Sequence, residues 1–375
     1  MIAHEAKHVV LSNDDRQYVA LPPIDAEWKT IVLRRTTLYL AGDRIVRRIR
    51  HDDPDRGAVY TEDEIDRMLD PEHTHILPVA GRGKPVKLTE ATAASRLHPV
   101  GVGVALGRDP AIVNTRTGHW YPVADPLVPD PSAVSAREWL TAWKAATTPE
   151  DLADLRRFAL REPRQRVNYE EGDVFAFRHT RRAWGFGRVL FDRAARFAAG
   201  DIPKEQQHGY MQYLGRVVLV QVFRTLESSP DVSVDDVVNV PALPSQMVMD
   251  DGLLHGAWPI IGHAPLEPSG IDHELLVGRS LALDDDTWFL QDGLRYVEMP
   301  EQTLFARIPP DLVELLGSTS FAVTASGPSL NTADLRACID ADSNAPHWQH
   351  APRDLRNPGH QAIRDSLLRA FGVET

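Results

Sequence analysis

The chain has 375 residues, 43% of them hydrophobic and 25% charged, and its 41 basic and 53 acidic side chains give a formal net charge of −12. That length allows two or three domains of roughly 100–150 residues, and the acidic balance argues against a general nucleic-acid binder, which needs a basic surface to release phosphate counterions. The sequence has no apolar run of the roughly 18 residues a membrane span needs, no signal-peptide core behind His4, Glu5, Lys7 and His8, and Cys338 as its only cysteine, so a cytoplasmic protein without an intramolecular disulfide is expected.

In chain order, residues 31–40 and 45–49 read as a hairpin turning at Gly42-Asp43-Arg44. Thr61 with Glu64 has the form of a capping box ahead of Ile65, Met68 and Leu69, which predicts a short helix. Residues 100–106 form an apolar strand, and residues 111–123 a second hairpin turning at Thr117-Gly118. Pro122, Pro126, Pro129 and Pro131 then make the best boundary, because proline lacks the amide donor that regular structure needs. Beyond it, Ser135 with Glu138 caps a helix through Trp139, Leu140 and Trp143. Thr148-Pro149 starts a second helix through Leu152, Leu155 and Phe158.

Residues 168–300 are β-dominated. Residues 174–177 and 185–191 form a hairpin around a basic turn, with Gly185 and Gly187 alternating with Phe186 and Arg188. Glycine inside a strand marks a bulge, a bend or a close backbone approach. Further strands are expected at 217–223, 288–290 and 321–324, and helices at 203–213, 311–316 and 360–371. Residues 340–359 read as a loop. The resulting organisation is an α+β region at 1–131, a helical hairpin linker at 132–167, a β-rich domain at 168–300 and a helical or irregular extension at 301–375. The fold class is α+β: a central bent antiparallel sheet or small barrel with packed helices, preceded by a separate α+β N-terminal region.

Few residues carry the pattern of a reaction centre. His73-x-His75 and His347-x-x-His350 have metal-site spacings, but neither gathers third and fourth ligands in sequence. Gly101-x-Gly103-x-x-x-Gly107 sits in an apolar strand and is followed by Asp109-Pro110 rather than a helix, unlike a dinucleotide loop. Ser326-Gly-Pro-Ser329 is not a nucleophile elbow; His263 and Asp272-His273 complete a triad only by composition. Glu170 and Glu171 are adjacent, which puts them on opposite faces of a strand. No catalytic residue, metal ligand or cofactor is therefore expected. Trp184, beside Arg181 and Arg182 at a hairpin tip, has the make-up of a partner contact. Asp250-Asp251 and Asp284-Asp285-Asp286 are expected at the surface, since adjacent like charges are costly to bury together, and there as partner-binding residues that steer a basic partner. Trp258 reads as a core tryptophan under a strand end.

Four segments fall in a telling order: Gly-Asp-Val-Phe-Ala at 172–176, Gly-Phe-Gly-Arg-Val-Leu at 185–190, the apolar strand at 217–223, and Ala-Trp-Pro-Ile-Ile-Gly-His at 257–263. In these segments residues 168–280 resemble the immunity protein 26 family of bacterial polymorphic-toxin systems. The resemblance implies a protein that neutralises a cognate toxin domain by non-catalytic, occlusive binding. It makes Gly172, Asp173, Gly185, Gly187, Trp258 and Gly262 family-like structural positions and supplies no catalytic residues. The flanks depart from the family's shorter length. The net charge suits a basic toxin cleft as partner, with neither nucleic acid nor membrane involved. The alternatives are a metal-dependent hydrolase or other enzyme with a site between the N-terminal and central domains, and an adaptor of a secretion apparatus.

Overall fold

The computed structural model describes residues 9–53, 57–79, 83–163, 166–203, 216–267, 271, 273, 275–279, 286–317, 355–356 and 358–373. The chain divides into two compact units, residues 1–165 and 166–375. Both combine helices with antiparallel sheets, and the fold is α+β.

The first unit opens with helix α1 (Asn13–Gln17), capped by the Ser12 side chain. Strands β1 (Lys29–Val32), β2 (Thr36–Ala41), β3 (Arg44–Asp53), β4 (Ala58–Met68), β7 (Pro99–Gly107), β8 (Ala111–Asn114) and β9 (His119–Tyr121) form one sheet in the order β1-β2-β3-β4-β7-β8-β9. The short strands β5 (His75–Ile76) and β6 (Val86–Lys87) pair separately. Helix α2 (Glu90–Arg96) places Ala93 on one face of the sheet with Leu38, Leu40, Ile45 and Ile65. The other face carries Ile49, Tyr60, Val102, Val104 and Ile112 against helices α3 (Ala136–Ala146) and α4 (Pro149–Ala159). Trp139 and Trp143 stack there with ring centroids 5.2 Å apart. The Trp143 indole donates to the Tyr18 carbonyl at 2.7 Å.

Both hairpins expected in this region form, with Gly42 (φ +63°) and Gly118 (φ +73°) in their turns. The helix expected after Thr61 does not. Residues 58–68 are strand β4, paired to β3 on one side and β7 on the other. Two ladders outweigh one cap. Alternation sends Tyr60 and Glu62 to one face and Asp63 and Ile65 to the other, and Thr61 bonds Asp53 instead of capping a helix. The prolines at 122–131 lie within the first unit, whose core includes the two helices that follow them. The two units meet after residue 165.

The second unit contains strands β10 (Asp173–Thr180), β11 (Ala183–Phe191), β12 (Val217–Glu227), β13 (Gln246–Met249) and β14 (Ile260–His263), in the order β13-β12-β11-β10-β14. Register shifts interrupt the β10/β11, β11/β12 and β10/β14 ladders. Such bulges bend strands. The sheet is open and not a closed barrel, with β13 and β14 at its edges. Helices α5 (Arg193–Ala199), α6 (Val234–Val238) and α7 (Asp251–Leu254) lie between its strands in sequence. A second sheet, β15 (Leu275–Arg279), β16 (Thr287–Asp292) and β17 (Arg295–Pro300), has its own apolar core. Helices α8 (Glu301–Phe305), α9 (Pro310–Gly317) and α10 (Gln361–Ala370) contribute Leu304, Leu312, Leu316, Leu367 and Leu368 to it. This core draws on residues from both sides of position 300. Among the described residues no helix is long and apolar enough to cross a membrane. The helix expected at 203–213 (apart from Pro203), the strand at 321–324, Cys338, His347, His350, Asp272, Ser326 and Ser329 lie outside the described residues.

Candidate functional site

The five-stranded sheet is organised by glycine facing aromatic. Phe175 pairs with Gly187 and Phe177 with Gly185 across β10 and β11. Each ring lies where the glycine's missing side chain would be. A Cβ on Gly187 would come 2.5 Å from Phe175 Cζ and 2.8 Å from the Gln221 carbonyl of β12, and one on Gly185 would overlap the Phe177 ring. Phe186, between the two glycines, faces the opposite core with Val174, Ala176 and Phe223. Trp258 stacks on Phe175 with centroids 5.5 Å apart. Gly252 lies against its indole so closely that no Cβ would fit. Gly262 is packed just as tightly on Val234.

At the β10–β11 tip, the Arg178 guanidinium lies 4.8 Å from the Trp184 ring centroid and donates to the Arg181 carbonyl at 2.7 Å. Trp184 is half-buried and packs against the cluster around Phe186. Arg182 is also half-buried. Arg181, expected at a partner surface, is only 3% exposed. Its guanidinium is thus an internal group, and what the tip presents is the outer part of Trp184, Arg178 and Arg182.

The acidic pair at 250–251 also separates. Asp251 is exposed, but Asp250 is 3% exposed. Its Oδ2 accepts the Tyr169 hydroxyl at 2.9 Å and lies 3.3 Å from Arg216 Nε. The same guanidinium donates to Asp192 Oδ2 at 2.7 Å, and Asp192 Oδ1 caps α5 through the Ala195 amide. Arg216 also covers the Tyr169 ring at 5.2 Å. Burial and the neighbouring Asp192 and Asp250 charges push the Tyr169 hydroxyl well above its ordinary value. Burial pulls Arg216 down, yet its bond to Asp192 and the nearby charges raise it overall. Partners for a buried carboxylate remove the cost that made exposure the expectation. Asp286 is exposed, whereas Asp284 and Asp285 lie outside the described residues.

At the other edge, Asp173 and His263 are register partners across β10 and β14. Asp173 Oδ1 lies 3.0 Å from His263 Nδ1, and Oδ2 accepts the Glu170 amide at 2.9 Å. Gly172 precedes them at φ +96°, where a Cβ would meet His263 Cε1 at 2.7 Å. Glu170 Oε1 is 3.7 Å from His263 Nδ1. Glu170, Asp173 and His263 thus each bring a ligand atom within 4.8 Å of the others and have the donor set for a divalent cation. Glu171 turns elsewhere and pairs with Arg196. Sequence reasoning named both Asp173 and His263, 90 residues apart, but not their pairing; the strand register is what joins them. His73 and His75 are not joined in this way: His73 contacts Asp43 and His75 contacts Asp70.

Asp173→Ala should remove the acceptor of both His263 and the Glu170 amide. The expected cost is about 1–2 kcal/mol, read as a lower urea midpoint at unchanged slope. A wild-type midpoint would show that this clamp does not hold β14.

Residues 170–277 match the model of the family described as immunity protein 26. The matched segment contains every strand of the five-stranded sheet and ends within β15. No curated protein and no solved structure matches the chain.

Proposed function

We propose, from the match of residues 170–277 to immunity protein 26, that this protein neutralises a cognate toxin domain by non-catalytic, occlusive binding. The family supports an immunity role and a toxin partner. The observation that carries the reading is that the match and the five-stranded sheet coincide. The glycine and aromatic positions that define the resemblance are spent on packing that sheet, which leaves recognition to its surface. The hairpin tip at Arg178, Arg182 and Trp184 supplies an aromatic and two arginines for an anchor. The net charge of −12 and the exposed Asp251 and Asp286 favour a basic partner drawn in by electrostatic steering.

The test is co-expression with a candidate toxin domain, sought among the genes that neighbour this one. Cells should survive, and the two proteins should purify as a stoichiometric complex. Toxin released from it by denaturation and refolding should regain activity at unchanged mass. A toxin that stays inactive because it has been covalently altered would overturn occlusion. Steering predicts that added salt slows association. Replacing Asp251, Asp284, Asp285 and Asp286 by Asn should lower the association rate more than it raises the dissociation rate. An association rate indifferent to both changes would remove electrostatics from the account.

A second reading rests on Glu170, Asp173 and His263, whose three ligand atoms could hold a metal with open positions for water, as in a metal-dependent hydrolase. In this reading the site would lie at a sheet edge in the second unit, unlike the inter-domain site expected from the sequence. Stoichiometric zinc or manganese in the purified protein, lost in His263→Ala together with protection, would favour it over occlusion.

A further inference from the structure

In the first unit, α1 and β3 bring two arginines to one carboxylate. Arg16 forks onto Glu62, with Nη1 2.5 Å from Oε1 and Nη2 2.7 Å from Oε2, and the Tyr60 hydroxyl donates to Oε2 at 2.5 Å. Those three donors engage both oxygens of Glu62. Arg47 comes to the same group but stops short, with Nε 4.0 Å from Oε1. That distance is an ion pair and not a hydrogen bond. Glu64, opposite Arg47 in the β3/β4 register, is drawn to Arg116 at 3.5 Å.

The result is a local excess of positive charge inside the core. Arg47 is 3% exposed and Arg16 1%. Among the described residues, Arg47 Nε, Arg47 Nη1 and Arg16 Nε are buried donors without an acceptor. Burial holds Arg47 below its ordinary value despite the attraction of Glu62 and Glu64. A guanidinium does not escape by losing its proton. One buried carboxylate shared by two guanidinium groups leaves positive charge uncompensated, and orphaned buried donors are rare enough to need a cause.

We propose that Arg47, with Arg16, binds a small, weakly hydrated monovalent anion in the core of the first unit, chloride under ordinary conditions. Such an ion accepts from N–H groups in any direction and balances the second guanidinium. A phosphate or sulfate would bring more charge and more oxygens than these donors can satisfy, and would lose more hydration on entry.

The test uses the full chain. Its melting should be followed as bromide replaces gluconate at constant ionic strength. A ligand bound only by the folded state raises the transition with the logarithm of its concentration. The first-unit transition should climb by several degrees across a hundredfold range of bromide, and not with sulfate. Arg47→Met should flatten that response. Should this variant fail to fold, bromide-soaked wild-type crystals decide the matter by anomalous scattering. A bromide peak in contact with Arg47, together with stabilisation in solution, supports the proposal. A water molecule there, the Glu64 carboxylate swung onto Arg47, or a peak at soaking concentration without stabilisation would each overturn it.

Discussion

Gly187→Val should strongly destabilise the five-stranded sheet, and with it whatever partner binding that sheet supports. Gly187 sits in β11 between β10 and β12, opposite Phe175. The first added carbon already comes 2.5 Å from the Phe175 ring and 2.8 Å from the Gln221 carbonyl. The ring is stacked on Trp258, and the carbonyl belongs to the neighbouring strand, so neither yields cheaply. Valine's strand preference is worth up to about 1 kcal/mol. Overpacking a close-fitted core costs about 1–3 kcal/mol or more, and two further methyl carbons put this site at the upper end. The clash wins. Urea denaturation should place the loss at about 2–3 kcal/mol or beyond. The double variant Phe175→Leu/Gly187→Val should recover part of it, because the two positions compete for one volume. An unchanged midpoint in the single variant would mean that the glycine is not required for packing.

Glu62→Ala should be the most damaging change in the first unit. It leaves the forked Arg16 without its carboxylate and removes the one ion pair of Arg47 among the described residues. Removing one partner of a buried ion pair costs about 3–5 kcal/mol. Burial pushes the Glu62 carboxyl above its ordinary value, against the pull of Arg16, Tyr60 and Arg47, so these partners are what oppose its neutralisation. The triple replacement Arg16→Met, Glu62→Leu and Arg47→Met, which removes every charge at once, should be far milder than Glu62→Ala, since buried ion pairs exchange for apolar side chains at little net cost. If the triple variant were as unstable as Glu62→Ala, the damage would come from lost shape and not from stranded charge.

The architecture was legible where a residue's local neighbours determine its role. Ser135 with Glu138 and Thr148 with Asp151 make reciprocal caps within one turn, and both helices follow. The glycine–aromatic alternation of β11 announced a close approach in a strand, and Phe175 and Phe177 are what approach. Thr61 and Glu64 offered the same capping signal and misled, because β3 and β7 bracket that segment and their pairing is invisible in a short window. Asp250 misled for a related reason. Its neighbour Asp251 argued for exposure, while the groups that permit burial, Tyr169 and Arg216, lie far away in sequence. The Asp173–His263 clamp likewise needed the β10/β14 register before it could be seen.

The same register has a consequence in time. β14 closes the edge of β10 from 90 residues further along the chain, so at a translation rate of about 5–20 residues per second it follows β10 out of the ribosome by about 5–18 s. Until then β10 has an open edge that can pair with another nascent chain. Contacts of such long sequence separation also form late in folding. If the protein neutralises a toxin as proposed, a cell meeting one that acts within seconds would survive on molecules finished beforehand. Selection should then act on the standing pool and its turnover, more than on how quickly the gene can be induced.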